Sequence, residues 1–191
     1  PLLATSRGSS SVQGHQSGPE RVDQIVQSLY EAMAARDIRY AEPPASWADV
    51  GQKVRTPAEV LEERVGTCLD TVVVLAAALE QAGIRPLLWL VEGHAFLGYW
   101  RHEMALDAVA QTDIAAIVNQ LELGNIVLVE TTMITGGSDA APFSDTHRPP
   151  AAPYLSNDLS RVYAGTDVWA PRHDEILPRP ARTAAVHTNN S

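Results

Sequence analysis

Gly66-Thr67-Cys68-Leu69-Asp70-Thr71-Val72-Val73-Val74-Leu75-Ala76-Ala77-Ala78-Leu79-Glu80-Gln81-Ala82-Gly83 is the stretch on which the fold turns. Thr67 is placed to cap a helix, Asp70 follows three residues later, and Gly83 supplies a stop. Between these signals the side chains are apolar on nearly every side. A helix of that kind is buried centrally and does not lie on a surface. Its first turn carries Cys68, the single cysteine of the chain.

Working outward, Pro86–Val91 and His94–Trp100 read as two strands, and Glu92-Gly93 between them suits a tight hairpin turn. Residues 111–123 read as a helix with Ile114, Ile117, Val118 and Leu121 on one stripe, ended by Gly124. Ile126-Val127-Leu128-Val129 is a third strand and leads into Glu130-Thr131-Thr132. Upstream, Val22, Ile25, Val26, Leu29, Tyr30 and Met33 recur at helical spacing from Glu20 to about Arg36. Ala41-Glu42-Pro43-Pro44-Ala45 is a loop, since proline removes a donor and restricts its neighbour. Thr56-Pro57-Ala58-Glu59 has the cap, the first-position proline and the carboxylate of a helix start. No internal repeat is present.

The organisation expected from this pattern has three parts. Residues 1–18, rich in Ser, Gly and Gln, are a disordered lead-in. Residues 19–137 are an α+β core domain whose buried central helix, bearing Cys68 at its N-terminus, packs on an antiparallel sheet bearing His94. Residues 138–191 are a Pro-rich extension or linker. A short ordered segment is expected near 159–178, around Asp167-Val168-Trp169 and Ile176-Leu177.

Composition excludes several classes. The chain has 191 residues, 45% of them hydrophobic, which suits one soluble domain with a sizeable core. A formal net charge of -9, with Lys53 the one lysine, argues against a nucleic-acid or anionic-membrane partner for this segment. No apolar run reaches the roughly 18 residues of a membrane helix. A lone cysteine allows no internal disulfide and is compatible with a reducing compartment, so a cytoplasmic location is expected. The chain starts at Pro1 and not at Met, which makes the lack of a signal peptide weak evidence.

A cysteine attacks as its thiolate, and free cysteine ionises at about pH 8.5. A place in the first turn of a helix lowers that value, because the N-terminal end offers partial positive charge and free N–H groups. An isolated cysteine is more often a small buried hydrophobe. His94, just after a glycine turn, can aim from a sheet edge at a neighbouring helix terminus, take the thiol proton and return it to a leaving group. Taken singly, a strand histidine is most often a core residue satisfied by backbone. The combination is more specific: Gly-Thr-Cys opens a buried helix and Gly-His-Ala-Phe opens a strand.

These residues resemble the transglutaminase-like superfamily of Cys-His-Asp proteins, whose fold is papain-like. The matching motifs are Gly66-Thr67-Cys68, Gly93-His94-Ala95-Phe96 and the helix end Ala-Ala-Ala-Leu-Glu-Gln-Ala-Gly-Ile at 76–84. More narrowly, the chain is similar to a bacterial subgroup in which this domain fronts much longer proteins, some with helicase regions. That similarity rests on Gly51-Gln52-Lys53-Val54-Arg55-Thr56-Pro57, Gly66–Asp70 and Val129-Glu130-Thr131-Thr132. It covers roughly residues 20–135, with a weaker echo near 167–180. It implies a third member, an acid that orients the imidazole. Here Glu130 is favoured, with residues 101–124 as a helical insertion, and Asp107 is the alternative acid. Glutamate in place of aspartate departs from the family pattern. For the oxyanion, the backbone N–H of Cys68 and the side chain of Gln52 are the candidate donors. Trp47 reads as a core residue or a wall of the cleft.

The expected activity is a cysteine-dependent amide hydrolase, a peptidase or deamidase, or an acyl transferase working through a thioester on Cys68. The substrate would be a protein or peptide, and other domains of a longer chain are possible partners. The competing expectation is a catalytically silent interaction domain within a larger protein. No cofactor is expected, and no metal: the six histidines are scattered and show no ligand spacing with Cys68. Gly136-Gly137 lacks the lysine and helix of a phosphate loop.

Overall fold

The structure is a computed structural model that describes residues 14–43, 53–106, 110–111, 114–147 and 162–167. Gln52, Trp47 and Asp107 lie outside the described residues, as do 168–178 at the end of the expected ordered segment. The class is mixed α+β. In chain order the main elements are α1 (Pro19–Ala34), β1 (Arg39–Tyr40), α2 (Pro57–Glu63), β2 (Val65–Gly66), α3 (Cys68–Gln81), β3 (Pro86–Val91), β4 (His94–Trp100), β5 (Ala110–Gln111), α4 (Ile114–Glu122), β6 (Ile126–Val129) and β7 (Val162–Asp167). Two 3-10 segments, Thr131–Asp139 and Phe143–His147, lie between β6 and β7.

The main sheet runs β5-β7-β3-β4-β6, with every neighbouring pair antiparallel. Its strands β3, β4 and β6 are buried on both faces. One face meets α3 and α1 through Val72, Leu75, Leu79, Val26, Tyr30, Ala95, Leu97 and Val129. The other meets α4 through Trp89, Phe96, Trp100, Ile117 and Leu128. The alternation along β4 explains the split: Ala95, Leu97 and Tyr99 belong to the first cluster, Phe96 and Trp100 to the second. Gly98 has to be glycine, because a Cβ there would come within 2.9 Å of Trp89 Nε1.

Helix α3 starts where the cap signal puts it. Thr67 Oγ1 accepts from Asp70 N–H at 3.3 Å, and Asp70 Oδ2 accepts from Thr67 N–H at 2.9 Å. The same reciprocal box, Thr56 with Glu59, opens α2. The β3–β4 hairpin pairs Val91 with His94 across Glu92-Gly93, and Gly93 takes φ 72°.

Two expectations need correction. The lead-in expected over 1–18 is ordered at its end: His15–Ser17 form a 3-10 turn, and His15 Nε2 accepts from the Arg85 N–H at 3.3 Å. The extension expected from 138 onward contributes to the fold before its expected ordered segment. Phe143–His147 packs under α1 and β6, with Phe143 in the core. β7, Val162–Asp167, lies within the segment expected to be ordered near 159–178 and pairs along β3. After Glu130 the chain forms the 3-10 segment Thr131–Asp139, kinked at Gly137.

Candidate active site

Cys68 is the first residue of α3, and its side chain is 5% exposed. The preceding backbone is fixed by a short parallel ladder, β1 with β2, in which Arg39 N–H donates to Arg64 O and Ala41 N–H to Gly66 O, both at 2.9 Å. The helix start is fixed from the other side by Asp70, whose side chain has no exposed surface. Asp70 accepts from Thr67 N–H, from the Arg55 N–H at 2.8 Å and from the Arg55 guanidinium at 2.9 Å. Burial pushes its carboxyl up, yet the Thr67 and Arg55 donors outweigh this and hold it below the usual carboxylate range.

His94 opens β4, and its ring meets two acceptors. Its Nε2 lies 2.8 Å from Glu130 Oε2. The thiol of Cys68 makes the other side-chain hydrogen bond, which leaves Nδ1 as the nitrogen that serves it. Both contacts push the imidazole up to about 9 against the opposing effect of burial. With a carboxylate at one nitrogen and a sulfur at the other, the doubly protonated ring satisfies both partners.

The thiol responds in the complementary direction. Burial pushes Cys68 up; the hydrogen bond to His94, its charge, and the backbone N–H groups of Ala95 and Leu69 pull it down and prevail. Leu69 is in the first turn of α3, so one of these donors is a free helix-terminal N–H group. The pair therefore favours thiolate beside imidazolium.

Glu130 is held by its neighbours. β4–β6 pairing ends at Leu97 with Val129, so Glu130 leaves the ladder one residue later. Its N–H donates to Thr146 O at 2.9 Å, which ties it to the 143–147 turn. Its Oε1 accepts from Thr132 N–H at 3.1 Å and from the Thr132 hydroxyl at 2.6 Å, leaving Oε2 to His94. Burial pushes the carboxyl up, but His94 and Thr132 keep it below its ordinary range. The helix and the acid are also linked directly. Thr71 donates to Cys68 O at 2.8 Å and lies 2.9 Å from Thr131 Oγ1. Thr71 has a single hydroxyl hydrogen, so Thr131 is the donor in that pair.

The structure thus brings Cys68, His94 and Glu130 together, with His94 hydrogen-bonded to Glu130 and shifting the ionisation of Cys68. Sequence reasoning missed two contributors. Arg55 clamps Asp70, and Tyr40 is the register partner of Gly66, with its hydroxyl pushed up by burial first and then by the charge of Cys68. A two-residue parallel pairing carries no periodic signal, so nothing in the sequence marked Tyr40.

A cleft of about 680 Å³ lies elsewhere, lined by Asp23, Tyr30, Tyr99, Arg101 and His147, and by none of the three chain residues. Tyr99 and Arg101 sit at or beyond the end of β4 opposite His94. Its polar wall is the Arg101–Asp23 pair at 2.8 Å, joined by the Tyr99 hydroxyl. No titrating pair of the thiol–imidazole kind is found there.

No protein-family model matches this chain, no curated protein matches it, and no solved structure matches it. Among the described residues, no helix is long and apolar enough to cross a membrane.

Proposed function

We propose that this protein is a cysteine-dependent amide hydrolase or acyl transferase with a papain/transglutaminase-like fold. The carrying observation is the chain from Cys68 through His94 to Glu130, with the thiol shifted down and the imidazole up to about 9. Electrostatics of that sign make a nucleophile at neutral pH and keep a proton ready for the leaving group. Cys68 Sγ attacks the acyl carbon. The carbonyl pair moves onto oxygen and returns as the C–N bond breaks, and the amine leaves with the imidazolium proton. His94 then takes a proton from water, which attacks the thioester and releases the thiolate. An amine in place of water gives acyl transfer. Glu130 orients His94 and stabilises its charged form. The Cys68 N–H faces no helical acceptor and can serve the oxyanion. Gln52 remains the proposed second donor, and the substrate is a protein or peptide amide.

A catalytically silent interaction domain is the second reading, and the 5% exposure of Cys68 favours it. An activated ester, p-nitrophenyl acetate, separates the two. The hydrolase reading expects an acetyl adduct on Cys68 by intact mass, lost in Cys68→Ala and long-lived in His94→Ala. The silent reading expects no adduct in any form.

A further inference from the structure

Two adjacent threonines follow Glu130 and spend their hydroxyls on different partners. Thr132 turns back to the carboxylate. Thr131 reaches across to α3, where its hydroxyl donates to Thr71 Oγ1 at 2.9 Å, and Thr71 donates in turn to Cys68 O at 2.8 Å. Both residues are fully buried. The pair bridges two layers. His94 and Glu130 belong to the sheet layer, and their register is set by the β4–β6 ladder, which pairs Leu97 with Val129. Cys68 belongs to the helix layer, and α3 rests on the sheet through apolar side chains such as Val72, Leu75 and Leu79. Apolar burial has no direction, so it sets the position of the helix along the sheet only loosely. A hydroxyl hydrogen bond is held to within about 0.5 Å. Stability alone does not call for these hydroxyls, since two apolar side chains of the same shape can replace such a pair at little cost.

We infer that Thr71 and Thr131 are positioning residues: their buried hydroxyl pair sets α3 against the end of β6 and so holds Cys68 at working distance from the His94–Glu130 pair. The inference rests on the thiolate–imidazolium reading above. Neither hydroxyl touches the reacting atoms. Each has a single hydrogen, and both hydrogens run in one direction, from Thr131 through Thr71 to the carbonyl of Cys68 itself. Thr131 is the chain neighbour of Glu130, so the bridge starts beside the acid and ends on the cysteine. Removing the Thr131 donor unties that link and lets the sulfur drift from the imidazole. Attraction between the two charges weakens with distance, and the thiol returns toward its ordinary value of about 8.5.

The pH profile of Cys68 alkylation by iodoacetamide separates this role from a merely structural one. Wild type is compared with Thr131→Val, which keeps the shape and removes the donor, and with Thr131→Ser, which keeps the donor. At pH about 6.5 the rate is expected to fall about fivefold in Thr131→Val, the equivalent of one hydrogen bond of about 1 kcal/mol. Thr131→Ser should stay within about twofold of wild type. At pH about 9.5, where the thiol of every form is ionised, all rates should agree within about twofold, which certifies the fold. A urea midpoint that drops in Thr131→Val with the profile unchanged makes the pair structural and overturns the inference. So does a Thr131→Ser no better than Thr131→Val. The double variant Thr71→Val/Thr131→Val leaves no hydroxyl unpaired and should show the same fall; if Thr131→Val does not fold, a wild-type profile in the double variant overturns the inference. If wild type reacts only above pH about 8 and His94→Ala changes nothing, the thiolate–imidazolium reading fails and the threonines have nothing to position. If wild type reacts at low pH and Thr131→Val matches it, the inference about the threonines fails alone.

Discussion

Asp70 and Glu130 are two buried carboxylates, each beside a cation and each held below the ordinary carboxylate range. Asp70 faces Arg55, which cannot give up its proton; Glu130 faces His94, which can. The hydrogen bonds of Asp70 tie Arg55 to the start of α3, so it works as a clamp that sets where Cys68 stands. Glu130 ends on a ring whose other nitrogen faces a reactive sulfur. One kind of contact is structural in the first case and prepares chemistry in the second, because the partner's ability to titrate differs.

Substitutions should separate these roles. The largest effect is expected from Asp70→Ala, which strips Thr67 and Arg55 of their acceptor and leaves buried donors unmade. A loss of about 3 kcal/mol, read from the urea midpoint, is the scale for such a break. A loss confined to reactivity, with stability intact, would contradict the clamp. Next, His94→Ala returns the thiol to the ordinary range near 8.5, so its alkylation at pH about 6.5 should fall by about 100-fold with the fold retained.

Glu130→Gln sharpens the contrast, since it keeps the shape and removes the charge. The imidazolium loses a partner, the thiol rises, and alkylation at neutral pH should drop by about tenfold. In wild type, turnover should fall as pH rises through about 9, where His94 loses the proton owed to the leaving group. In Glu130→Gln that alkaline limb should move toward neutrality. Stability has the same sign. The folded imidazole is raised above its ordinary 6.5, so its contribution is full below that value and lost as pH rises through about 9. Thermal melts from pH about 6 to 10 should show this loss in wild type and less of it in Glu130→Gln. The smallest effect is expected from Thr132→Val, which removes one hydroxyl donor to Glu130 and should cost about 1 kcal/mol.

Much of this contrast was legible in the sequence, for local reasons. The start of α3 is set by Thr67 and Asp70, and the β3–β4 hairpin by Glu92-Gly93, so Cys68 and His94 could be placed on their elements by number. Glu130 could be singled out by the apolar run before it. The partners that tell a clamp from a relay were not legible. Arg55 reaches Asp70 across intervening chain, and Tyr40 is brought beside Gly66 by a two-residue parallel pairing. β7 lies within the ordered segment expected near 159–178, but its strand character was not legible: Ala164 and Gly165 are poor strand formers, and the strand exists because β3 offers it an edge. The 3-10 segments after Glu130 bury Ile134 and Phe143 without helical or alternating spacing.

The measurement that bears most directly on the central claim is the rate of Cys68 alkylation by iodoacetamide across pH 5 to 9, in wild type and in His94→Ala. A coupled thiolate–imidazolium pair predicts fast reaction well below pH 8 in wild type and its loss in His94→Ala. Reaction only above pH 8, unchanged by His94→Ala, would contradict it and leave Cys68 as a buried thiol in an interaction domain.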